Sequence, residues 1–304
     1  MKKGLLLFTY GGPETMEEVE PFIREILHGR PLCERRLAQI LKHYALFHGK
    51  SPLNDASRQL FRQLREKIDA TGLDCSIFWG CRYAEPRVET ALEAIFREGI
   101  EHLWVFVPTP FGGYSDIYTQ KWQAFEENHP TLTITSIPPY ASHPLFQQIL
   151  LEMTREKIET LSEVEKNETV LVYSVHSLPV DLARREYQPQ VLAAMEKIER
   201  NLRKNGLSQE IRLGWQSESR RPENVPWLRP RLKEVFQEVA EKGFRQVLLI
   251  PLGFSLDNME VAYDLDIAAV EWGRELGLKI NRVPTASHHP LFVEMILRNI
   301  AIQG

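Results

Sequence analysis

The chain has 304 residues, 43% of them hydrophobic and 26% charged, with a formal net charge of −4. This composition excludes disorder, the length suits two ordinary domains or one large α/β unit, and the slight acidity offers no basic stripe for nucleic acid. The three cysteines, Cys33, Cys75 and Cys81, form no C-x-x-C pair for zinc, iron–sulfur or redox chemistry and point to a reducing compartment.

Lys2 and Lys3 ahead of the apolar run 5–8 imitate the start of an export signal, but Gly11, Gly12 and Pro13 end that run too early. No other stretch reaches the roughly eighteen apolar residues of a membrane span. A cytoplasmic protein with no integral membrane segment is expected.

In chain order, strand-length apolar runs at 5–8, 76–79, 103–107, 133–137, 170–173, 212–215, 247–250 and 279–283 alternate with helical patterns at 86–97, 144–156, 190–204, 229–242 and 259–275. Continuous apolar runs separated by amphipathic stretches are the pattern of β-α units around a parallel sheet buried on both faces.

The order of signals then repeats. LLLFTYGGP at 5–13 is echoed by VLVYSVHSLP at 170–179, and HLWVFVPTPFGGYS at 102–115 by QVLLIPLGFS at 246–255. TITSIPPYASHPLF at 133–146 is echoed by KINRVPTASHHPLF at 279–292. Three echoes in one order, offset by roughly 145 to 165 residues, predict an α/β chain of two similar Rossmann-like halves, 1–164 and 165–304. Each would be a parallel sheet flanked by helices, with a ligand cleft between the carboxyl ends of the strands.

The titratable residues sit in the loops that follow those strand ends. His176 closes the run from 170 and should stand at the mouth of the cleft, as a base, a metal ligand or a loop cap. Further on, a helix beginning near Asp257 would place Asp257, Glu260 and Asp264 on one face. Carboxylates so crowded are tolerated when a cation or proton sits among them; the alternative is an acidic first turn favoured by the helix dipole. An imidazole and a carboxylate across a cleft suit a borderline metal such as Fe²⁺ or Co²⁺ and suit taking protons from a nitrogen heterocycle. Metal insertion into a porphyrin requires both actions. Tyr10, Trp79, Tyr83, Phe111, Tyr114, Tyr118, Trp122, Trp215 and Trp227 lie at or beside the strand ends and offer flat surface for a macrocycle, although each alone is more often core. Arg24, Arg30 and Ser51 could hold carboxylates at a ligand's edge, with solvated surface the alternative for each arginine.

Taken together these segments resemble the ferrochelatases over nearly the whole chain. The likeness is carried by the opening LLLFTYGGP, the turn Gly49-Lys50-Ser51-Pro52-Leu53, SVHSLP around His176, GWQSE at 214–218 with Trp227 downstream, and GFSLDNMEVAYDLD at 253–266. The resemblance implies a chelatase-type fold and a lyase that inserts Fe²⁺ into a porphyrin for haem biosynthesis. Iron is then a substrate, and no cofactor is permanently bound. It also implies that His176 and Glu260 are the catalytic pair, either one the base and either one the metal ligand, with Tyr10 as a further metal contact. Porphyrin binding is expected at Tyr10, Arg30, Ser51, Tyr118 and Trp227. Tyr10 stands where the Gram-positive branch of the family carries a tyrosine, and the stretch from Arg30 to Gly49 lacks a long apolar lip; both favour coproporphyrin III over protoporphyrin IX. The expected partners are the porphyrin and ferrous iron, with a protein donor or acceptor of porphyrin or haem left open.

The chain departs from the family pattern at several points. Asn258 follows Asp257 where a histidine is usual, and Glu186-Tyr187-Gln188-Pro189 replaces a Gly-Asp-Pro-Tyr stretch. Tyr83 and Ala268 stand where some relatives carry a second metal-contacting histidine and an outer carboxylate. A cobalt chelatase acting on another tetrapyrrole and a non-catalytic haem or porphyrin carrier therefore stay open as alternatives.

Overall fold

The computed structural model describes residues 2–112, 115–218 and 225–302. From the N-terminus, β1 (Lys3–Thr9) leads to helices α1 (Met16–Leu27), α2 (Glu34–Ala45) and α3 (Pro52–Thr71). Then come β2 (Ser76–Cys81), α4 (Val88–Arg97), β3 (His102–Phe106), α5 (Ser115–Asn128), β4 (Thr133–Ser136) and α6 (Pro144–Glu159). The short α7 (Glu163–Asn167) connects to β5 (Thr169–His176), α8 (Val180–Ala183), α9 (Tyr187–Lys204), β6 (Glu210–Gln216), α10 (Leu232–Glu241) and β7 (Gln246–Ile250). A π-helical segment, Val261–Ala268, runs into α11 (Ala269–Glu275), followed by β8 (Lys279–Arg282), a 3-10 turn at Ala286–His288 and α12 (Pro290–Ile302).

The strands form two parallel four-stranded sheets of identical order, β2-β1-β3-β4 and β6-β5-β7-β8. Every strand falls on a run read from the sequence; the central strands β1, β3, β5 and β7, covered on both faces, show no polar alternation, whereas the edge strands β4 (TITS) and β8 (KINR) are partly exposed. In β1, Leu5, Leu6, Leu7 and Phe8 are all fully buried. Leu5 and Leu7 join a central core that also holds Leu171, Tyr173, Leu248 and Ile250 of the second sheet, whereas Leu6 and Phe8 pack outward with Val88, Leu92 and Ile95 of α4. The second sheet repeats this outward layer, Val170 and Val172 meeting Leu232, Val235 and Phe236 of α10. Each fully buried Leu or Phe contributes about 1.5–3 kcal/mol relative to exposure.

The duplication extends to register and loop hydrogen bonds. Lys3 pairs with His102 at the start of the β1–β3 ladder as Thr169 pairs with Gln246 in β5–β7. Cys81 N–H bonds to Pro86 O and Trp215 N–H to Pro230 O, both at 2.7–2.9 Å, closing the same turn after β2 and β6. The repeated SHPLF and SHHPLF segments do the same job twice: His143 Nδ1 accepts the Leu145 N–H at the start of α6, and His289 Nδ1 accepts the Leu291 N–H at the start of α12.

The last helix of each half packs on the other half. α6 lies against α9 and α12, and α12 lies against α3 and α6. The connection between β1 and β2 is where the halves differ most, since it carries α1 and α2 in addition to α3. Within it, Asn54 ties down the turn after β1, exchanging bonds with Gly12 N–H (3.0 Å) and Gly12 O (2.7 Å). Gly12 is required there, because a Cβ would come within 2.5 Å of the Ser51 Cβ.

Candidate active site

His176 is the last residue of β5, held in place at both neighbours. It pairs in register with Gln216, the following Ser177 N–H bonds to Gln216 O at 2.8 Å, and Tyr187 donates its hydroxyl to the His176 carbonyl at 2.8 Å. Gly253, in the loop after β7, lies so close that a Cβ would stand 3.0 Å from Val175 Cα, which lets that loop pass beside the histidine. The Phe254 ring meets the imidazole edge-on at 6.4 Å. His176 Nε2 is 3.1 Å from Glu260 Oε1. Burial alone would favour the neutral ring, but the Glu260 carboxylate, helped by Asp264, holds the imidazole above its ordinary range.

Glu260 directly precedes the π-helical segment, and the turn is capped by Asn258, whose Oδ1 accepts the Val261 N–H at 2.9 Å. Asn258 therefore starts the helix that carries Glu260. The wider winding of a π turn, a feature that recurs at functional sites, keeps Asp264 beside Glu260. Asp264 accepts a hydrogen bond from the Ser217 hydroxyl. Its carboxyl is pushed up to about 6, by burial first and by the Glu260 charge, against the pull of Ser217, His176 and Arg36. Ser217 itself adopts a left-handed backbone, φ 60°, uncommon for a residue with a side chain.

The expectation of three carboxylates on one face is corrected at Asp257. This residue precedes the helix and turns away from the others, with Oδ2 2.8 Å from His288 Nε2 and Oδ1 3.6 Å from Arg282 Nη1. Burial pushes its carboxyl up, but His288 and Arg282 outweigh burial and hold it below the usual carboxylate range. The 3.6-residue period assumed for this stretch fails because regular helix begins only after Asn258 and is then π rather than α.

Register identifies the counterpart of His176 in the first half. Thr9 pairs with Cys81 as Val175 pairs with Trp215, so the next residue, Tyr10, occupies the position of His176. Tyr10 packs edge-on to Tyr83 (4.8 Å) and Phe22 (6.4 Å). Burial, reinforced by Tyr83, Tyr118 and the Glu260 charge, drives its hydroxyl pKa up, so the group keeps its proton in the absence of a cation. Tyr83 in turn shares a hydrogen bond with His28 Nε2 at 3.0 Å.

The helices inserted after β1 close over this centre. Tyr44 of α2 is buried and its hydroxyl is pushed up by burial and by Glu260. His43, one residue earlier, stacks on Tyr263 of the π segment with ring centres 3.6 Å apart and planes 15° from parallel. Sequence reading missed His43, Tyr44, Tyr263 and Ser217. Only Tyr263 left a signal, three residues beyond Glu260 on the same segment; the others come from parts of the chain remote in sequence.

The other expected site residues are scattered. Ser51 is buried and caps α3, its Oγ accepting the Leu53 N–H at 3.3 Å. Arg30 is exposed beyond α1 and bonds back to Leu27 O at 3.0 Å. Trp227 is 7% exposed, and its backbone bridges to Pro179, so it braces the His176 loop from within the core. Tyr118 of α5 is half-buried, edge-on to Phe8 at 4.9 Å, with the Arg82 guanidinium 6.0 Å from its ring. Of the expected aromatic platform, Phe111, Trp122 and Trp215 are core, Trp79 bonds to Thr9 Oγ1 at 3.0 Å, and Tyr114 lies outside the described residues. Arg24 pairs with Glu20 on α1. The structure thus brings His176 and Glu260 together, with Tyr10 in the field of Glu260 and Tyr118 in the field of Tyr10, while Arg30, Ser51 and Trp227 make the contacts just described. Among the described residues no three His, Cys, Asp or Glu side chains converge as a ready-made metal site.

The sequence model of the ferrochelatase family matches residues 2–303. The chain is 32% identical to the coproporphyrin III ferrochelatase of Mycolicibacterium smegmatis, over 96% of this chain and 87% of that protein. It is 32% identical to the coproporphyrin III ferrochelatase of Propionibacterium freudenreichii, over 95% of this chain and 84% of that protein. It is also 32% identical to a ferrochelatase of Deinococcus radiodurans, over 95% and 92%. Among solved structures, the fold is similar to SirB from Bacillus subtilis with Fe³⁺, with a TM-score of 0.61 at 13% identity, covering 99% of this chain and 95% of that one. CbiX, described as the terminal enzyme for biosynthesis of siroheme in denitrifying bacteria, gives a TM-score of 0.58 at 13% identity, covering 99% of each chain. These two likenesses fix the chelatase-type fold of the paired sheets.

Proposed function

The chain belongs to the ferrochelatase family, and from that premise we propose that it inserts Fe²⁺ into coproporphyrin III in haem biosynthesis. The observation that carries the reading is the His176–Glu260 pair at 3.1 Å, with the Tyr10 hydroxyl in the field of the same carboxylate. In the reaction Fe²⁺ replaces two pyrrole N–H protons, so the site must accept two protons and guide one cation. His176 and Glu260 supply one imidazole and one carboxylate at that point, and Asp264, with its carboxyl near pH 6, is a second acceptor within the same field. Tyr10, approaching from the other half, is a hard oxygen ligand on which the entering metal can rest once the cation has lowered the hydroxyl pKa. Pairing with Glu260 makes His176 a better proton acceptor, and a cation entering beside Glu260 reverses that bias and releases the proton outward.

The choice of coproporphyrin III, which carries four carboxylates, is supported by the relatives above and by the exposed cations Arg30, Arg35 and Lys42 on and before α2. Among the described residues no helix is long and apolar enough to cross a membrane. The three free thiols, Cys33, Cys75 and Cys81, suit the reducing cytoplasm, which is where we place the reaction. Iron enters as a substrate and no resident cofactor is needed. A protein that delivers the porphyrin or receives the haem would complete the partner set.

The test is anaerobic incubation with Fe²⁺ and either coproporphyrin III or protoporphyrin IX, following loss of the free-base absorption bands. Insertion into coproporphyrin III is expected to be the faster. Porphyrin binding without insertion of iron into either would overturn the reading in favour of a carrier, and insertion of Co²⁺ alone would point to a chelatase of another metal.

A further inference from the structure

Arg282 ends β8, an edge strand, yet it is only 21% exposed. Its Nε and Nη2 grip both oxygens of Asp266 at 2.5 and 3.0 Å, and its Nη1 faces Asp257 Oδ1 at 3.6 Å. Asp257 lies three residues before Glu260, and Asp266 lies two residues after Asp264. One planar guanidinium therefore holds both flanks of the segment that carries the two site carboxylates. Asp257 Oδ1 is buried beside Arg282, which shares with His288 and Thr285 the balancing of that carboxylate's charge. The other oxygen of Asp257 is held by His288, at the base of α12. Two further bonds fix the turn ahead of Asp257: Tyr140 donates its hydroxyl to Ser255 Oγ at 2.8 Å, and Ser287 N–H bonds to Ser255 O at 3.0 Å.

A π turn costs more than an α turn of the same length and persists where its surroundings over-determine it. Asn258 fixes only the start of this one. We infer that Arg282 is a positioning residue for metal insertion, a clamp across the π-helical turn that sets where Glu260 and Asp264 stand relative to His176. The inference rests on the proposed function. Lysine is a point charge and cannot replace the fork, because two separate carboxylates must be held in one plane.

The experiment compares wild-type protein with Arg282→Gln and Arg282→Lys, measuring Fe²⁺ insertion into coproporphyrin III and deuterium exchange of backbone amides. Both variants are expected to lose kcat by about tenfold or more with KM for the porphyrin changed less than about twofold, since the carboxylates move while the macrocycle's seat does not. Exchange should quicken across 259–268 and stay unchanged in β5 and α9. Full turnover in Arg282→Lys, or unchanged exchange across 259–268 in Arg282→Gln, would overturn the clamp. So would faster exchange spread evenly through the second sheet, which is the mark of a purely structural arginine. If the wild type inserts no iron, the proposed function fails, and the exchange comparison alone still decides the clamp.

Discussion

In the first half Tyr10 stands one residue beyond β1; in the second His176 ends β5 at the same point of the register. Around these two positions the frames agree strand for strand, and the additions differ. The first half lengthens its β1–β2 connection into the α1–α2 hairpin, whereas the second spans the matching gap with α8 and α9. After the third strand the first half continues into the α-helix α5, and the second into a π segment that follows Glu260 and bears Asp264. Ladders of backbone hydrogen bonds constrain the frame regardless of side chain, so the two copies stayed alike there and diverged in the loops beyond the strand ends. Two like scaffolds thus carry unlike groups, a phenol at Tyr10 and an imidazole–carboxylate pair at His176 and Glu260.

That contrast can be broken most sharply by removing its unlike members. His176→Ala should lower iron insertion by about a hundredfold or more, the scale of a lost acid–base group, while porphyrin still binds, as read by absorption titration. Tyr10→Phe, the same deletion in the other half, should cost no more than about tenfold if the hydroxyl only rests the metal and takes no proton. Equal losses in the two variants would erase the division of labour.

The acidic member sharpens it through pH. Asp264, raised from 3.8 to about 6 by burial, accepts a proton only when ionised, so insertion should fall as pH drops below about 6, and Asp264→Asn should remove that limb from the pH–rate profile. The stability sign is opposite to that of a salt-bridged carboxylate. A folded-state pKa above the unfolded one means the fold binds the extra proton, so stability falls as pH rises from 3.8 to about 6, and the asparagine variant should lack this loss in urea titrations.

Smaller effects are expected further out. Asn258→Ala removes the cap of the π segment and should cost about 1 kcal/mol in urea unfolding. The two capping histidines offer the finest comparison. His289 Nε2 meets Glu152 of α6 at 3.0 Å, while His143 lies near Arg298, the corresponding residue of α12; burial first, then Arg298, holds the His143 pKa down. Arg298→Glu should raise the His143 titration seen by NMR, with no measurable change in turnover.

The frame was readable because burial on both faces leaves a strand no choice but an unbroken apolar run, as in Leu5 to Phe8 and Val170 to Tyr173. His176 was readable for a related reason, since the end of such a run in an α/β sheet is where ligands meet the chain. The π segment was not readable. Its apolar spacing passes for α, and the substitution of one period for the other moved Asp257 off the acidic face and into the grip of Arg282. For Ser51 and Trp227 the sequence did not carry the structural contacts they make, because a hydroxyl before proline or an aromatic ring after a loop looks the same whether or not it also caps a helix or fills a core. His43 and Ser217 depended on contacts between segments far apart in the chain, which local pattern does not carry.

The reciprocal packing of the terminal helices has a further consequence. α6 meets α9 as α12 meets α3, and α6 and α12 meet each other; contacts that run both ways in this fashion are isologous, the signature of a two-fold arrangement. In effect the chain is a dimer fused into one polypeptide, with Tyr10 and His176 as symmetry mates. A dimer of identical halves must offer the same side chain twice to anything bound at its axis. Fusion lifts that obligation, and the two mates here present a phenol oxygen in one half and an imidazole nitrogen in the other.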